Sequence, residues 1–126
     1  MSSEQNLATL LADLAVHQHD GVWEFVTGSV EALSSAVMTF REREGWTHIV
    51  PASSRTPDAQ RFVWLELTVY SDLNAIGFLA AVSSALARAG VPCNAVAAFH
   101  HDHVFVPEAK VEAALDALAG LKQGSI

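Results

Sequence analysis

The sequence predicts an α+β fold, with helices packed on one face of an antiparallel sheet. Three observations carry this. Residues 62–107 run strand, polar turn, helix, glycine-marked turn, strand, histidine-rich turn, strand. The strand segments alternate with period two, whereas the helical segments repeat with period 3.6. A second helical pattern, EAKVEAALDALAGL, follows at once.

The first element reads as an amphipathic helix. Leu7, Leu10, Leu11 and Leu14 fall at i, i+3, i+4 and i+7, and Ser2 and Gln5 have the spacing of a capping box. The helix is expected to end near Val16, before the polar stretch HQHDG. In VWEFVT, Val22, Glu24 and Val26 alternate with Trp23, Phe25 and Thr27, which is strand-like, and Gly28 ends the run. The link SVEALSS has room for one helical turn. AVMTF and WTHIVPA read as two short strands joined by REREG, with Gly45 at the positive-φ position of a hairpin loop. The polar segment SSRTPDAQ, carrying Pro57, is the best linker. It divides the chain into residues 1–59, a helix plus three strands, and residues 60–126.

In FVWLELTVY, Val63, Leu65, Leu67 and Val69 share one face, expected to lie against the helices. Phe62, Trp64, Glu66, Thr68 and Tyr70 share the other. A solvated face does not carry that many aromatics, so either the N-terminal strands or a partner subunit is expected to cover it. The next helix is expected over Ala75–Ala89, with Ile76, Leu79, Ala80, Ser83, Leu86 and Ala87 on one face. Gly90 stops it in the left-handed position and Pro92 blocks continuation. The last helix is expected to start at Pro107 and Glu108, to turn Val111, Ala114, Leu115 and Leu118 inward, and to be capped by Gly120.

Composition excludes several functions. The 126 residues are 51% hydrophobic, enough for a real core. Acidic residues outnumber basic ones, 14 to 7, giving a formal charge of −7. No Lys/Arg cluster occurs, so nucleic acid is not an expected partner. No apolar run is long enough to cross a bilayer. The first residues lack the basic and apolar regions of a leader, and the single Cys93 fits a reducing compartment. A soluble, cytoplasmic protein is the expectation.

The order of motifs from Phe62 to Leu118 resembles an ACT domain, the small regulatory module of amino-acid metabolism, in the form found in aspartate kinases. The matching residues are Gly77 at the start of the first helix, Leu79, Leu86, the turn AGVPCN (Ala89–Asn94) and the two strands around HHDH. The whole chain resembles small stand-alone bacterial proteins of ACT type, in which a helix–strand unit with an FREREGWT-like hairpin precedes the ACT unit. The resemblance implies a ferredoxin-like (βαββαβ) sandwich and two ACT-like units, fused or permuted: an N-terminal ACT-like half and a C-terminal ACT domain. The chain departs from the pattern at its end, since KQGSI is too short and polar for a fourth strand. That strand is expected from the N-terminal half, where a helix followed by the strand VWEFVT mimics the tail of the motif, or else by exchange between subunits.

For function, the resemblance implies an amino-acid-binding regulatory or sensor protein, and Phe62, Trp64 and Tyr70 on the outer sheet face motivate the expectation of a homodimer. The alternative is a dimerisation module with no ligand. Helix-end physics points to SDLNAIG, because the amides of Asn74, Ala75, Ile76 and Gly77 suit a ligand carboxylate, while Asp72 or Asn74 can hold an ammonium. Asp72 and Asn74 are equally ordinary N-cap residues. Asn94, a polar amide inside an apolar strand, needs hydrogen-bond partners from a ligand or a neighbouring turn. His100, His101, Asp102 and His103, with His17, His19 and Asp20, are ligand types that suit zinc. Strand alternation sends adjacent histidines to opposite faces, so HHDH reads as a polar turn, with His101 a ligand contact and no metal or cofactor expected. His48 reads as a satisfied strand residue. Cys93 reads as an inert core thiol, because nothing aims a base at it. No nucleophile elbow, P-loop or dinucleotide fingerprint occurs, and no catalytic residue is expected.

Overall fold

A computed structural model describes residues 6–29, 34–52, 60–69 and 71–124. Its elements are helix α1 (Leu7–Ala12), strands β1 (Val16–Gln18), β2 (Trp23–Gly28), β3 (Met38–Arg41), β4 (Trp46–Pro51) and β5 (Phe62–Leu67), helix α2 (Phe78–Arg88), strands β6 (Asn94–Ala97) and β7 (Asp102–Pro107), and helix α3 (Val111–Lys122). A 3-10 turn over Glu108–Lys110 leads into α3. The chain is α+β with one antiparallel sheet in the order β3-β4-β2-β5-β7-β6, and β1 pairs with β5. The capping-box residues Ser2 and Gln5, most of SVEALSS, most of the linker and Tyr70 lie outside the described residues.

Strand β5 is the axis of the sheet. On one side it pairs with β7 along its whole length, from Phe62↔Pro107 to Leu67↔Asp102. On the other side it has two partial neighbours. Strand β1 pairs with its last three residues, Val16 opposite Leu67 and Gln18 opposite Leu65. Strand β2 meets it at Trp23↔Phe62. The ladder extends one residue past β1 at each end, through His19 N–H to Trp64 C=O (3.0 Å) and Thr68 N–H to Ala15 C=O (2.8 Å). Between the two partial strands the chain steps aside, with Gly21 at φ 86°. The place beside β5 that a fourth ACT strand would take is therefore filled from the N-terminal half, mainly by Val16–Gln18. The sequence reading put this role on VWEFVT and treated HQHDG as a polar break. His17 and Gln18 belong to a strand because β5 offers an edge whose backbone groups need partners.

The helices share one face of the sheet. Val63, Leu65, Leu67, Val69, Val104 and Val106 meet Leu10, Leu11 and Leu14, the α2 residues Phe78, Val82, Ala85 and Leu86, and the α3 residues Ala114, Leu118 and Leu121 in one core, all of them buried. The aromatic face is covered by the chain's own first half. Ile49, Phe62 and Phe105 form a second buried cluster, with Met38 of β3 and Val96 of β6 packed against it. These two strands end the sheet path, so the sheet curls until its two ends approach one cluster. Phe25 stands edge-on to Phe62 and Phe105, with ring centroids 5.3 and 5.7 Å away.

Several expected boundaries shift. Helix α1 stops at Ala12, and Asn6 caps it by accepting the Thr9 N–H at 3.0 Å. Helix α2 starts at Phe78 rather than Ala75, with Gly77 as its N-cap. Its buried stripe is Phe78, Val82, Ala85 and Leu86, so the expected face was rotated. Ile76 lies outside the helix and is 86% exposed. Gly90 ends α2 at φ 74°, as read from the sequence. Helix α3 passes through Gly120 to Lys122, and Gly124 takes the left-handed position instead. In the REREG hairpin, Gly45 has φ 147°, while Glu42 and Gly45 exchange backbone hydrogen bonds. A Cβ at Gly45 would lie 3.0 Å from the Gly28 carbonyl oxygen. His48 is 1% exposed and paired with the Thr39 hydroxyl at 2.8 Å.

Candidate functional site

Strand β5 runs out at Leu67, and the chain crosses the top of the core to reach Gly77. There it leaves a cavity of about 200 Å³, lined by Ser71, Asp72, Leu73, Ala75, Phe78, Leu79, Ala97, Ala98 and Asp102. One wall is the β5–α2 loop, another the first turn of α2, and the third the end of β6 with the start of β7. Small residues make the space, since Ala75, Ala97 and Ala98 stop at Cβ. On its polar side the Ser71 hydroxyl donates to Asp102 Oδ2 at 3.2 Å. Asp102 is 7% exposed, and burial raises its carboxyl above the ordinary range against the smaller opposing effects of Ser71, His103 and His101.

The loop is tighter than the sequence suggests. Asp72 Oδ1 accepts the Asn74 N–H at 2.8 Å, and the Asp72 carbonyl accepts the Ala75 N–H at 2.9 Å. Asp72 closes a turn on itself rather than capping the helix. The amides of Asn74 and Ala75 are thus already used. Gly77 offers no side-chain cap, so the first-turn amides of α2, at Phe78, Leu79 and Ala80, are suited to donate to an anion. Gly77 holds φ 94°, and a Cβ there would stand 3.3 Å from Leu7 Cδ2. Both constraints favour glycine where loop, helix and α1 meet.

Of the seven residues expected at the site, Asp72 and Ala75 line the cavity. Asn74, Ile76 and Gly77 form its loop without lining it. Asn94 sits elsewhere, lining a second cavity of about 340 Å³ with Gln60, Arg61, Phe62, Pro92 and Pro107. Its amide Nδ2 donates to the Phe105 carbonyl at 3.3 Å. His101 does not line the first cavity. Its Nδ1–H donates to the Val69 carbonyl at 3.2 Å, which braces the backbone just past the end of β5.

The HHDH segment divides between a turn and a strand. His100 and His101 belong to the turn closed by Ala98 N–H to His101 C=O at 3.1 Å. Asp102 and His103 are the first residues of β7, so alternation sends Asp102 to the cavity and His103 to the aromatic face. There Glu66 gathers the histidines. His19 Nε2 donates to Glu66 Oε1 at 2.8 Å, and His101 Nε2 lies 3.7 Å from Glu66 Oε2. The His19 ring stacks on Trp64 at 3.5 Å between centroids, with His17 edge-on to His19. Trp64 Nε1–H donates to His103 Nδ1 at 2.9 Å. The hydrogen bond from His19 holds Glu66 below the ordinary carboxyl range, although burial opposes it. Among the described residues no group of three His, Cys, Asp or Glu is arranged to hold a metal ion.

Sequence reasoning missed Ser71, Phe78, Leu79, Ala97, Ala98 and Asp102 as cavity walls, and Glu66 as the partner of the histidines. One signal was available for Glu66. A lone carboxylate among Phe62, Trp64 and Tyr70 needs compensating donors, and the histidines of HQHD and HHDH are candidates to supply them. Cys93 is half-buried, and burial raises its thiol, as expected for an inert sulfur.

A family profile described as an ACT domain matches residues 61–120, and a second ACT-domain profile matches residues 2–56. Among solved structures, a Vibrio cholerae protein of unknown function, described as a possible transport protein, is 34% identical with a TM-score of 0.76. The match covers 87% of this chain and 91% of that one. A second protein, from Agobacterium tumefaciens, is 17% identical over 86% of this chain and 89% of its own, with a TM-score of 0.68. The aspartate kinase of Clostridium acetobutylicum, described as an allosteric enzyme, shares the fold at 7% identity and a TM-score of 0.64. That match covers 88% of this chain and 34% of the kinase. No curated protein matches the sequence.

Proposed function

The chain belongs to the ACT-domain family, whose members typically bind ligands and regulate, and on that footing we propose that it is a non-catalytic amino-acid sensor. The ligand lies in the cavity between the β5–α2 loop, α2 and the β6–β7 turn. The observation that carries this reading is the chemistry of the lining. Among the described residues, Asp72 and Asp102 are its only charged side chains, and no Lys, Arg or His lines it. An anionic ligand would find two carboxylates and no cation. A zwitterion fits differently: its ammonium faces Asp102 and Asp72, and its carboxylate faces the first-turn amides of α2, where the helix dipole favours negative charge. The remaining walls, Leu73, Ala75, Phe78, Leu79, Ala97 and Ala98, suit a small apolar side chain.

A second copy of the chain belongs in this proposal. Leu73, Ile76 and Phe99 are 67%, 86% and 77% exposed; Leu73 lines the cavity, and Ile76 and Phe99 directly follow its lining residues Ala75 and Ala98. Large apolar side chains grouped at a site rim favour cover by another surface. The aromatic face of β5, first considered for this role, is occupied by the chain's own strands.

Thermal-shift screening against the twenty amino acids tests the reading. A ligand at a hundredfold excess over Kd stabilises the folded state by about 2.7 kcal/mol, which is several degrees for a domain of this size. Small aliphatic amino acids should raise Tm, and glutamate and aspartate should not. If none of the twenty does so while sedimentation shows a stable dimer, the ligand-free interaction module is the correct description. A monomer at all concentrations removes the second copy.

A further inference from the structure

We propose that His19, Glu66, His101 and His103, arranged around Trp64, form a proton-operated clasp that holds β1 on β5 at neutral pH and lets it go on acidification. The inference rests on this cluster alone and does not need the cavity to bind an amino acid.

Strand β1 is only three residues long, and its pairing extends one residue further at each end. So short a ladder has little stability of its own. Side chains supply the rest. His19, just past β1, stacks on Trp64 and donates to Glu66, both on β5. Trp64 is fixed in turn by its bond to His103 on β7. The chain β1–β5–β7 is thus tied by one carboxylate, one indole and two imidazoles.

The tie is sensitive to protons for a stereochemical reason. An indole N–H only donates, so His103 Nδ1 must offer a lone pair. The ring is neutral and carries its hydrogen on Nε2. A second proton occupies Nδ1, which abolishes the acceptor and sets two N–H groups face to face. The other ionisable groups of the cluster face the same carboxylate or its neighbours. Glu66 faces His19 and His101 directly, so protons on those rings strengthen their pairing with the carboxylate. His103 differs. Burial lowers its ring, and the charges of His101 and His19 push the same way, against the pull of Glu66 and Asp102. His17 adds a further imidazole beside His19. Burial thus disfavours a proton on His103, and its arrival breaks the Trp64 bond while three rings, His19, His101 and His103, share one carboxylate. Once Trp64 is loose, the His19 stack loses its platform and the β5 edge opens.

The sign follows from linkage. A histidine lowered in the fold binds its proton more readily when the fold is open. The closed form is favoured above the ordinary histidine value of 6.5 and is lost as pH falls below it.

The test uses the full chain with Trp23→Phe and Trp46→Phe, so that Trp64 is the only indole. Emission is followed from pH 7.5 to 4.5, and exchange protection of the Thr68 amide, which donates to Ala15, is followed over the same range. The expected result is a change in Trp64 emission together with at least a tenfold loss of Thr68 protection below pH 6.5. Both should be absent in His103→Asn, whose amide oxygen keeps the acceptor without titrating. The same acid transition in His103→Asn overturns the proposal. If that variant fails to fold, imidazole nitrogen NMR of the otherwise unaltered chain decides. An unprotonated Nδ1 on His103 at pH 7.5, protonating in step with the loss of Thr68 protection, supports the clasp. A protonated Nδ1 at that pH, or protection that does not follow it, overturns it.

Discussion

Ser71 and Asp102 face each other across the β5–β7 side of the cavity, hydroxyl to carboxylate at 3.2 Å. Asp102 is there because β7 begins at it, so its side chain points to the helices while its neighbour His103 points away. A carboxylate that is 93% withdrawn from solvent and held by one hydroxyl has unused acceptor capacity.

Asp102→Asn separates binding from folding. Losing one charge-assisted hydrogen bond costs about 1.5–3 kcal/mol, or roughly tenfold to a hundredfold in affinity. The fold is relieved of a carboxylate whose ionisation burial opposes, so Tm in the absence of ligand should hold steady or rise. Calorimetry with an aliphatic amino acid and a thermal melt, run side by side, read the two effects.

Binding should also weaken in acid sooner than an ordinary aspartate would cause. Asp102 is raised above 3.8, so its negative charge disappears at a higher pH than that of an exposed carboxyl. Affinity for the zwitterion is full above the raised value and falls as pH drops through it. In Asp102→Asn that fall should vanish. Titration calorimetry at a series of pH values, on both proteins, makes the comparison.

Gly77→Ala should destabilise the protein by about 1–2 kcal/mol, the cost of placing a residue with Cβ in left-handed backbone. The added carbon also presses on Leu7 Cδ2 at 3.3 Å, which disturbs α1 against the start of α2. Urea denaturation measures the loss. Gly28→Ala, with nothing within 4 Å of its Cβ and no positive φ, is the matched control and should cost less.

Leu67→Ala tests the seam between the two halves. Leu67 is fully buried, opposite Val16 on one side and Asp102 on the other. A cavity of that size costs about 2–5 kcal/mol. Because β1 and β7 meet at this residue, urea unfolding should remain a single transition with a lower midpoint. Two separate transitions would show that the N-terminal strands fold independently.

The second half of the fold was legible because its patterns are strong. Val63, Leu65, Leu67 and Val69 alternate without a break, and a glycine and a proline punctuate the end of α2. The N-terminal half was less so. Val16–Gln18 carries no strand signature of its own, and it pairs only because β5 has an edge to fill. Tertiary context overrode local propensity there. At the site, the loop was visible but the start of α2 was not. Asp72 and Asn74 look like caps in a string of letters, and only the backbone shows that Asp72 folds onto Asn74. Asp102 and Glu66 were hidden for another reason. Their roles depend on which face of a strand they occupy, and that hangs on a register of one residue. Reading His103 as part of a turn concealed both.

The borrowed strand beside β5 places the two halves in one continuous sheet rather than side by side. A polypeptide beginning at residue 60 would carry a complete ACT signature and yet present a naked β5 flank, lacking also the leucines of α1. Such a fragment would seek a substitute for Val16–Gln18, and the peptide best suited to rescue it is the protein's own first fifty-odd residues, supplied in trans.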